Sequence, residues 1–433
     1  MLAVFTVAVA AFYLPGSFAA REDDYAFVRT LVDIQRQVSA NYVDDVKAED
    51  LRHGAIEGLM RELDPFSEYV PPADQDDFNR MLEGSFQGVG VLLNQKEDGE
   101  IEVVTPIDDS PAARAGVQAG DIIVKVNDES IAGMLLQDVI AKVKGAEGST
   151  VKIRFKRPAG EVEYTLARSE IQLQTVKGFS RNEDNSWNYF MGGGAAAAGS
   201  AAEPKVAYVR LTQFTSDTAE RLAKVLEQLT ADGLEGLVLD LRFNPGGQLE
   251  AAVQIADMFL ETGTIVSVKG RARPERVERA TPAGTLKDFP LVVLVNEFSA
   301  SASEVLAGAL QDQRRATVVG MRSYGKGSVQ EVIPLANSGG ELKLTVAHYY
   351  LPSGRLVHRK KDATEWGVEP QIKVEMTADQ QQSAAVQRVA QENFRRAEPA
   401  TSPTTQPVGR FGDDVQLEKA FTTVVGLIAA KQK

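Results

Sequence analysis

Residues 320–327 read GMRSYGKG. From Gly320 to Lys326 the spacing is G-x-x-x-x-G-K, that of a nucleotide-binding P-loop, and the chemistry of Lys326 decides how the whole chain is read. A P-loop needs Ser or Thr directly after its lysine to hold magnesium, then a helix whose N-terminus faces the phosphates. Here Gly327 follows Lys326, and SVQEVIPL at 328–335 sets Val329, Val332 and Leu335 among β-favouring neighbours and contains Pro334. That stretch predicts a strand. Both required parts are missing, so phosphate binding gives way to lysine chemistry of another kind.

A lysine can act as a general base if burial pulls its pKa down from the ordinary value towards neutrality. Gly325 and Gly327 flank Lys326 and let backbone approach closely enough to seat the amine in a dry cleft. A matching nucleophile is offered by NEFSASASE at 296–304, which ends the apolar run LVVLVN. A serine where a strand turns into a helix has an exposed hydroxyl, and the free N–H groups of the helix start face developing negative charge. Ser301-Ala302-Ser303-Glu304 also has the S-x-x-E form of a capping box, which begins many ordinary helices. Of the three histidines, His348 lies in strand-like LTVAHYY and His53 in a helical region, and neither is an evident base; His358 is the third. DLRFNPGG at 240–247 follows a buried strand. It reads both as a simple turn and as a loop presenting glycine N–H groups to an oxyanion.

The chain has 433 residues, room for about three domains at roughly 150 residues each. Charged residues are 25% and the net charge is -13, which argues against a nucleic-acid partner. The absence of cysteine excludes disulfides, thiol catalysis and cysteine metal sites. The opening MLAVFTVAVAAFYLPGSFAA is apolar to Leu14, is broken by Pro15 and Gly16, and carries small Ser17 and Ala19 before charged REDD. This pattern predicts a signal peptide over 1–20 and a periplasmic or otherwise extracytoplasmic mature chain; the alternative is a buried N-terminal helix. No Lys or Arg precedes the apolar run, which leaves the true translation start open.

Residues 21–84 have helical periodicity through Phe27, Leu31, Ile34, Val38 and Tyr42, then Leu51, Ile56, Leu59 and Leu63, and the prolines of LDPFSEYVPP at 63–72 end it. Residues 85–170 switch to short apolar runs with turns between them, a small β-module with one helix-like run, LQDVIAKVKG. Over 171–375, VAYVRL, GLVLDLR, PLVVLVN and ATVVG alternate with helical segments at 217–230 and 247–261, an α/β core with a flexible insert at 191–204. Residues 376–433 form a C-terminal helical region with a Pro/Thr linker at 398–408. In its last helix Leu417, Phe421, Val424 and Ile428 share one face, with Asp413 or Asp414 as N-cap.

Together LDPFSEYVPP, the FQGVGV start of the β-module, DLRFNPGG, SASASEVLAGALQD and G-x-x-x-x-G-K-G-S-V-Q resemble the carboxyl-terminal processing, or tail-specific, proteases over about residues 30–375. The resemblance implies a serine endopeptidase with Ser301 as nucleophile and Lys326 as base, 25 residues apart as the family pattern requires. It implies that Gln330 supports the lysine. Four residues of straight strand span roughly 13 Å, so direct contact needs a bend, expected at Gly327. The implied oxyanion donors are the backbone of Ala302 and of Gly246 or Gly247, with Gly247 favoured. Gln371 stands where many relatives carry Asp. Gly88-Val89-Gly90-Val91, followed by SPAARAGVQAGDIIVKVND at 110–128, is similar to a PDZ domain, whose loop N–H groups bind a peptide's terminal carboxylate while the peptide adds to the sheet edge.

The expected fold is α+β and multidomain: N-terminal helices, a PDZ β-module, an α/β serine protease core and C-terminal helices. No metal, nucleotide or other cofactor is expected. The expected partners are protein or peptide substrates with accessible C-termini, a second copy of the chain through the terminal helices, and an activating adaptor protein. The rival reading is a PDZ scaffold with an inactive or latent protease-like domain.

Overall fold

The computed structural model of the chain describes residues 22–96, 98–158, 160–191, 203–336, 339–392 and 410–432. The expected signal peptide, nearly all of the 191–204 insert and the Pro/Thr linker lie outside these residues.

The apolar runs of the core form a six-stranded sheet in the order Val176–Lys177, Val206–Leu211, Gly236–Asp240, Leu291–Val295, Thr317–Gly320, Ile372–Lys373. The first pairing is antiparallel and the rest are parallel. Leu237, Leu239, Val293 and Val295 face the helices Thr218–Ala231, Leu249–Asp257 and Ala302–Asp312. Val238, Val292 and Leu294 face the opposite way, onto the C-terminal helix Val415–Lys431. Because both faces are covered, the central strands are near-continuous apolar runs instead of alternating. Parallel sheets bind ligands beyond the carboxyl ends of their strands. DLRFNPGG and NEFSASASE leave that end from the neighbouring strands Gly236–Asp240 and Leu291–Val295.

The apolar face of the C-terminal helix finds its surface within the protomer: Leu417, Phe421, Val424 and Ile428 are buried in one cluster with Tyr208, Val238, Val292 and Val319. This corrects the expectation of an oligomer contact through that helix, since its face is already covered. Asp414 caps it, accepting from Leu417 N–H at 3.0 Å. Fully buried Arg242 bridges that cap to the core sheet, 2.7 Å from Asp414 Oδ1 and 2.8 Å from Asp240 Oδ2. The N-terminal helices Glu22–Asn41 and Ala48–Arg61 behave differently. Phe27, Leu31, Ile34, Tyr42 and Leu59 all stay exposed.

LDPFSEYVPP does more than stop a helix. Glu68–Val70 pairs antiparallel with the strand Gly340–Tyr350, which also pairs with Ser328–Leu335 and with Thr264–Gly270. Asp64 shapes the preceding turn, accepting from Phe66 N–H at 2.8 Å and from Ser67 N–H at 3.0 Å. The β-module is an antiparallel sheet whose edge strand Val91–Gln95 lies beside the helix Leu136–Val143.

Candidate active site

Ser301 stands where Leu291–Val295 gives way, through a short turn, to the helix Ala302–Asp312. Its φ of 56° and ψ of -117° are costly for a residue with a Cβ, on the order of 1–3 kcal/mol, and are held only because the surroundings over-determine them. The surroundings are the two strand-end loops, tied together by hydrogen bonds. Ala300 N–H and Ser303 Oγ both donate to Asn244 O at 3.0 Å, and Ser299 Oγ donates to Leu241 O at 2.8 Å. Gly246, at φ +101°, comes so close that a Cβ there would lie 2.7 Å from Ser301 Cβ and 3.0 Å from Ala302 N. The Gly246 N–H is taken by Asn244 Oδ1 at 2.9 Å. Among the described residues, the N–H groups of Gly247 and Ala302 have no hydrogen-bond partner. Two free donors thus flank the Ser301 turn.

Lys326 is half-buried on the turn before Ser328–Leu335. Gly325 and Gly327 are required there, because a Cβ would fall 2.6 Å from Trp366 Cδ1 at the first and 2.2 Å from His358 N at the second. Burial, helped by the positive charge of Lys343, lowers the Lys326 pKa, while Asp64, Glu304 and Glu68 pull it back up. Its Nζ rests 4.6 Å from the centre of the Phe66 ring. Among the described residues no hydrogen bond joins Ser301 to Lys326. Gln330 Nε2 donates to Ser328 Oγ at 2.8 Å and to Thr345 Oγ1 at 3.1 Å, not to the lysine. The strand irregularity lies between Val329 and Gln330 and not at Gly327.

Residues 205–374 match the model of peptidase family S41, and residues 102–157 match that of the PDZ domain. The carboxy-terminal-processing protease of Bartonella bacilliformis is 33% identical over 421 residues, 94% of this chain and 90% of the relative. The chain belongs to peptidase family S41. CtpB of Bacillus subtilis, a carboxy-terminal processing protease, is 33% identical over 78% of this chain and 65% of its own length. Among solved structures, a photosystem II D1 C-terminal processing protease is 29% identical, with a TM-score of 0.44 over 80% of this chain and 92% of that one. The chain is accordingly a serine peptidase of family S41 with a PDZ domain.

This S41 peptidase brings further groups to the site that its sequence did not single out. Phe66 covers the lysine because Glu68–Val70 pairs with Gly340–Tyr350. The Tyr349 phenol, pushed up to about 12 chiefly by burial, lies beside the Ser301 side chain. His348 and His358 pack 4.8 Å apart, and His348 Nδ1 is 3.3 Å from Gly327 O. Glu304, the cap residue, is fully buried and reaches across to the lysine turn. Its S-x-x-E spacing was visible, but its second set of partners was not.

In the PDZ domain Gly90, at φ +78°, tolerates no side chain, since a Cβ would lie 2.1 Å from Ser110 Cβ. Val89 is buried, and its carbonyl accepts from Ala112 N–H at 2.9 Å, fixing the Gly88–Val91 loop at the head of the edge strand. Gln95 ties the other end of that strand to the helix, its Oε1 accepting from Leu136 N–H at 3.2 Å.

Proposed function

We propose that this peptidase is an extracytoplasmic endopeptidase that cleaves protein substrates with a Ser301/Lys326 dyad. Neutral Lys326 takes the proton of Ser301 Oγ, and the oxygen attacks the substrate carbonyl. The N–H groups of Ala302 and Gly247 hold the oxyanion. Lys326 returns the proton to the leaving amine as the acyl-enzyme forms, and then draws a proton from the water that hydrolyses it. Gln330 supports the lysine side of the cleft. The observation carrying this reading is the pairing of a strained serine turn and its two unpartnered N–H groups with a half-buried lysine of lowered pKa on the next loop.

Cleavage then requires Lys326 Nζ to hydrogen-bond Ser301 Oγ, a bond absent from the described arrangement, which we read as a resting one. Substrate C-termini bind the Gly88–Val91 loop and add to the Val91–Gln95 edge, and with an adaptor protein they favour the working arrangement. The exposed apolar faces of the N-terminal helices pair with a second copy of the chain. The resting lysine equally favours the rival, a PDZ scaffold whose protease domain stays latent. The deciding experiment incubates the purified chain with an unstructured protein carrying an accessible C-terminus and follows the fragments by mass spectrometry. Turnover by the parent and none by Ser301→Ala or Lys326→Ala supports the dyad. Undiminished turnover in Ser301→Ala would sink it, and a parent silent with every substrate and adaptor favours the scaffold.

A further inference from the structure

The site contains a buried acid to which the dyad chemistry gives no role. Glu304 has no exposed surface, and its carboxylate accepts four hydrogen bonds from two different loops. Oε2 accepts from Ser301 N–H at 2.8 Å and from Lys326 N–H at 2.8 Å. Oε1 accepts from Gly325 N–H at 2.6 Å and from Ser323 Oγ at 2.5 Å. The backbone amides of the serine and the lysine thus share one oxygen, although no hydrogen bond joins the two side chains. A capping glutamate needs only the bond to its own N-cap residue; the other three bonds do nothing for the helix.

We propose that Glu304 is a positioning residue, its single carboxylate clamping the Ser301 turn and the Gly325–Lys326 turn at a fixed separation so that the dyad can close. This rests on the Ser301/Lys326 reading. Oε2 faces two backbone N–H donors, and Oε1 faces the Gly325 N–H and the Ser323 hydroxyl, so three of the four partners can only donate and the set suits an ionised carboxylate. A proton on Oε2 would turn a donor towards two donors, and one on Oε1 could be housed only by reversing the Ser323 hydroxyl. Burial works against ionisation and pushes the Glu304 pKa up to about 7, against the pull of the four hydrogen bonds. The clamp therefore loosens as pH falls through that region.

The clamp also has an electrostatic signature. Charged Glu304 raises the pKa of Lys326, as do Asp64 and Glu68 from the neighbouring turn and strand, while Lys343 on the facing strand lowers it. His358, close enough to feel Asp64 and His348, completes the titrating groups around the lysine loop. Removing the Glu304 charge should weaken the clamp and at the same time make Lys326 easier to deprotonate. A residue with only a structural role would not produce the second effect.

The test compares the parent, Glu304→Gln, Glu304→Asp and Ser323→Ala as full chains, by steady-state cleavage across pH and by thermal melting. In Glu304→Gln the amide turns its NH2 group towards at least one backbone N–H that cannot accept. The expected loss is about 100-fold in kcat, with KM within about twofold of the parent and the acid limb of the rate profile moved to lower pH. Glu304→Asp restores the charge and should return the acid limb towards the parent's position, with a partial recovery of kcat. Ser323→Ala removes one donor and leaves the carboxylate, so it should lose about 3- to 10-fold in kcat at unchanged KM. Should Glu304→Gln fail to fold, the Ser323→Ala and Glu304→Asp profiles decide. The proposal is overturned by a folded Glu304→Gln with kcat within threefold of the parent, or by a kcat loss in which Glu304→Gln leaves the acid limb unmoved. It is overturned too if neither milder variant lowers kcat. A Ser301→Ala control that keeps full activity would instead refute the dyad itself.

Discussion

Replacing Gly246 by alanine tests whether the Asn244–Gly247 loop is packed against the Ser301 turn. At φ +101° the new methyl would sit 2.7 Å from Ser301 Cβ, 2.8 Å from Ala300 O and 3.0 Å from Ala302 N. Two of these are backbone atoms and the third is the root of the Ser301 side chain, so no flexible tip can swing aside. The left-handed backbone costs a residue with a Cβ about 1–2 kcal/mol, and overpacking adds about 1–3 kcal/mol. Together they predict a loss of about 2–5 kcal/mol, seen as a melting midpoint lowered on the order of 10 °C. Relief of the clash pushes Ser301 away from the loop, and a displacement approaching 1 Å lowers kcat on the order of 100-fold. The rate is measured well below the variant's melting range, so that unfolding does not imitate inactivity. Gly247→Ala is the comparison. At φ +139° its methyl would meet Phe214 O at 2.0 Å, so it should lose at least as much stability through a different contact. Gly246→Ala with the parent's kcat and melting midpoint would refute the described packing of the two loops.

Three further outcomes follow from the same geometry. Lys326→Met abolishes cleavage yet should melt higher than the parent at pH 7, because the folded-state pKa of Lys326 lies below its unfolded value. Between those two values the unfolded parent binds more protons, so parent stability rises with pH there and the gap between the melting curves closes towards pH ~10.4. Phe66→Leu removes the ring under the lysine, a contact of about 0.5–2 kcal/mol, and should raise kcat/KM at neutral pH by about 2- to 30-fold; a fall would contradict a resting role for Phe66. Arg242→Ala leaves buried Asp240 and Asp414 without their shared cation and should cost about 3–5 kcal/mol. Hydrogen exchange should show the helix Val415–Lys431 loosening before the sheet.

What the sequence revealed and what it concealed divide along the range of the contacts. Continuous apolar runs such as LVVLV announce strands buried on both faces because that burial is local to each strand. SVQEVIPL was legible as a strand from its β-favouring residues and Pro334, and this removed the P-loop. Glu68–Val70 was hidden, since three residues carry almost no periodicity and their partner strand lies far along the chain. The C-terminal helix showed an apolar face but not what covers it, because amphipathic spacing is identical for intramolecular and intermolecular burial. Glu304 is the most instructive residue at the site. S-x-x-E predicts the bond to Ser301, while the bonds to Ser323, Gly325 and Lys326 depend on two strand-end loops meeting in space.

The central claim is that Ser301 is a nucleophile activated by Lys326, and covalent labelling tests it most directly. The parent is treated with a serine-reactive fluorophosphonate across pH, and the modified peptide is mapped by mass spectrometry. The account predicts a single adduct on Ser301, absent in Ser301→Ala, whose formation rate rises with pH as Lys326 loses its proton and drops on the order of 100-fold or more in Lys326→Ala. An adduct on Ser299 or Ser303, or a Ser301 adduct forming at the same rate without Lys326, would contradict it.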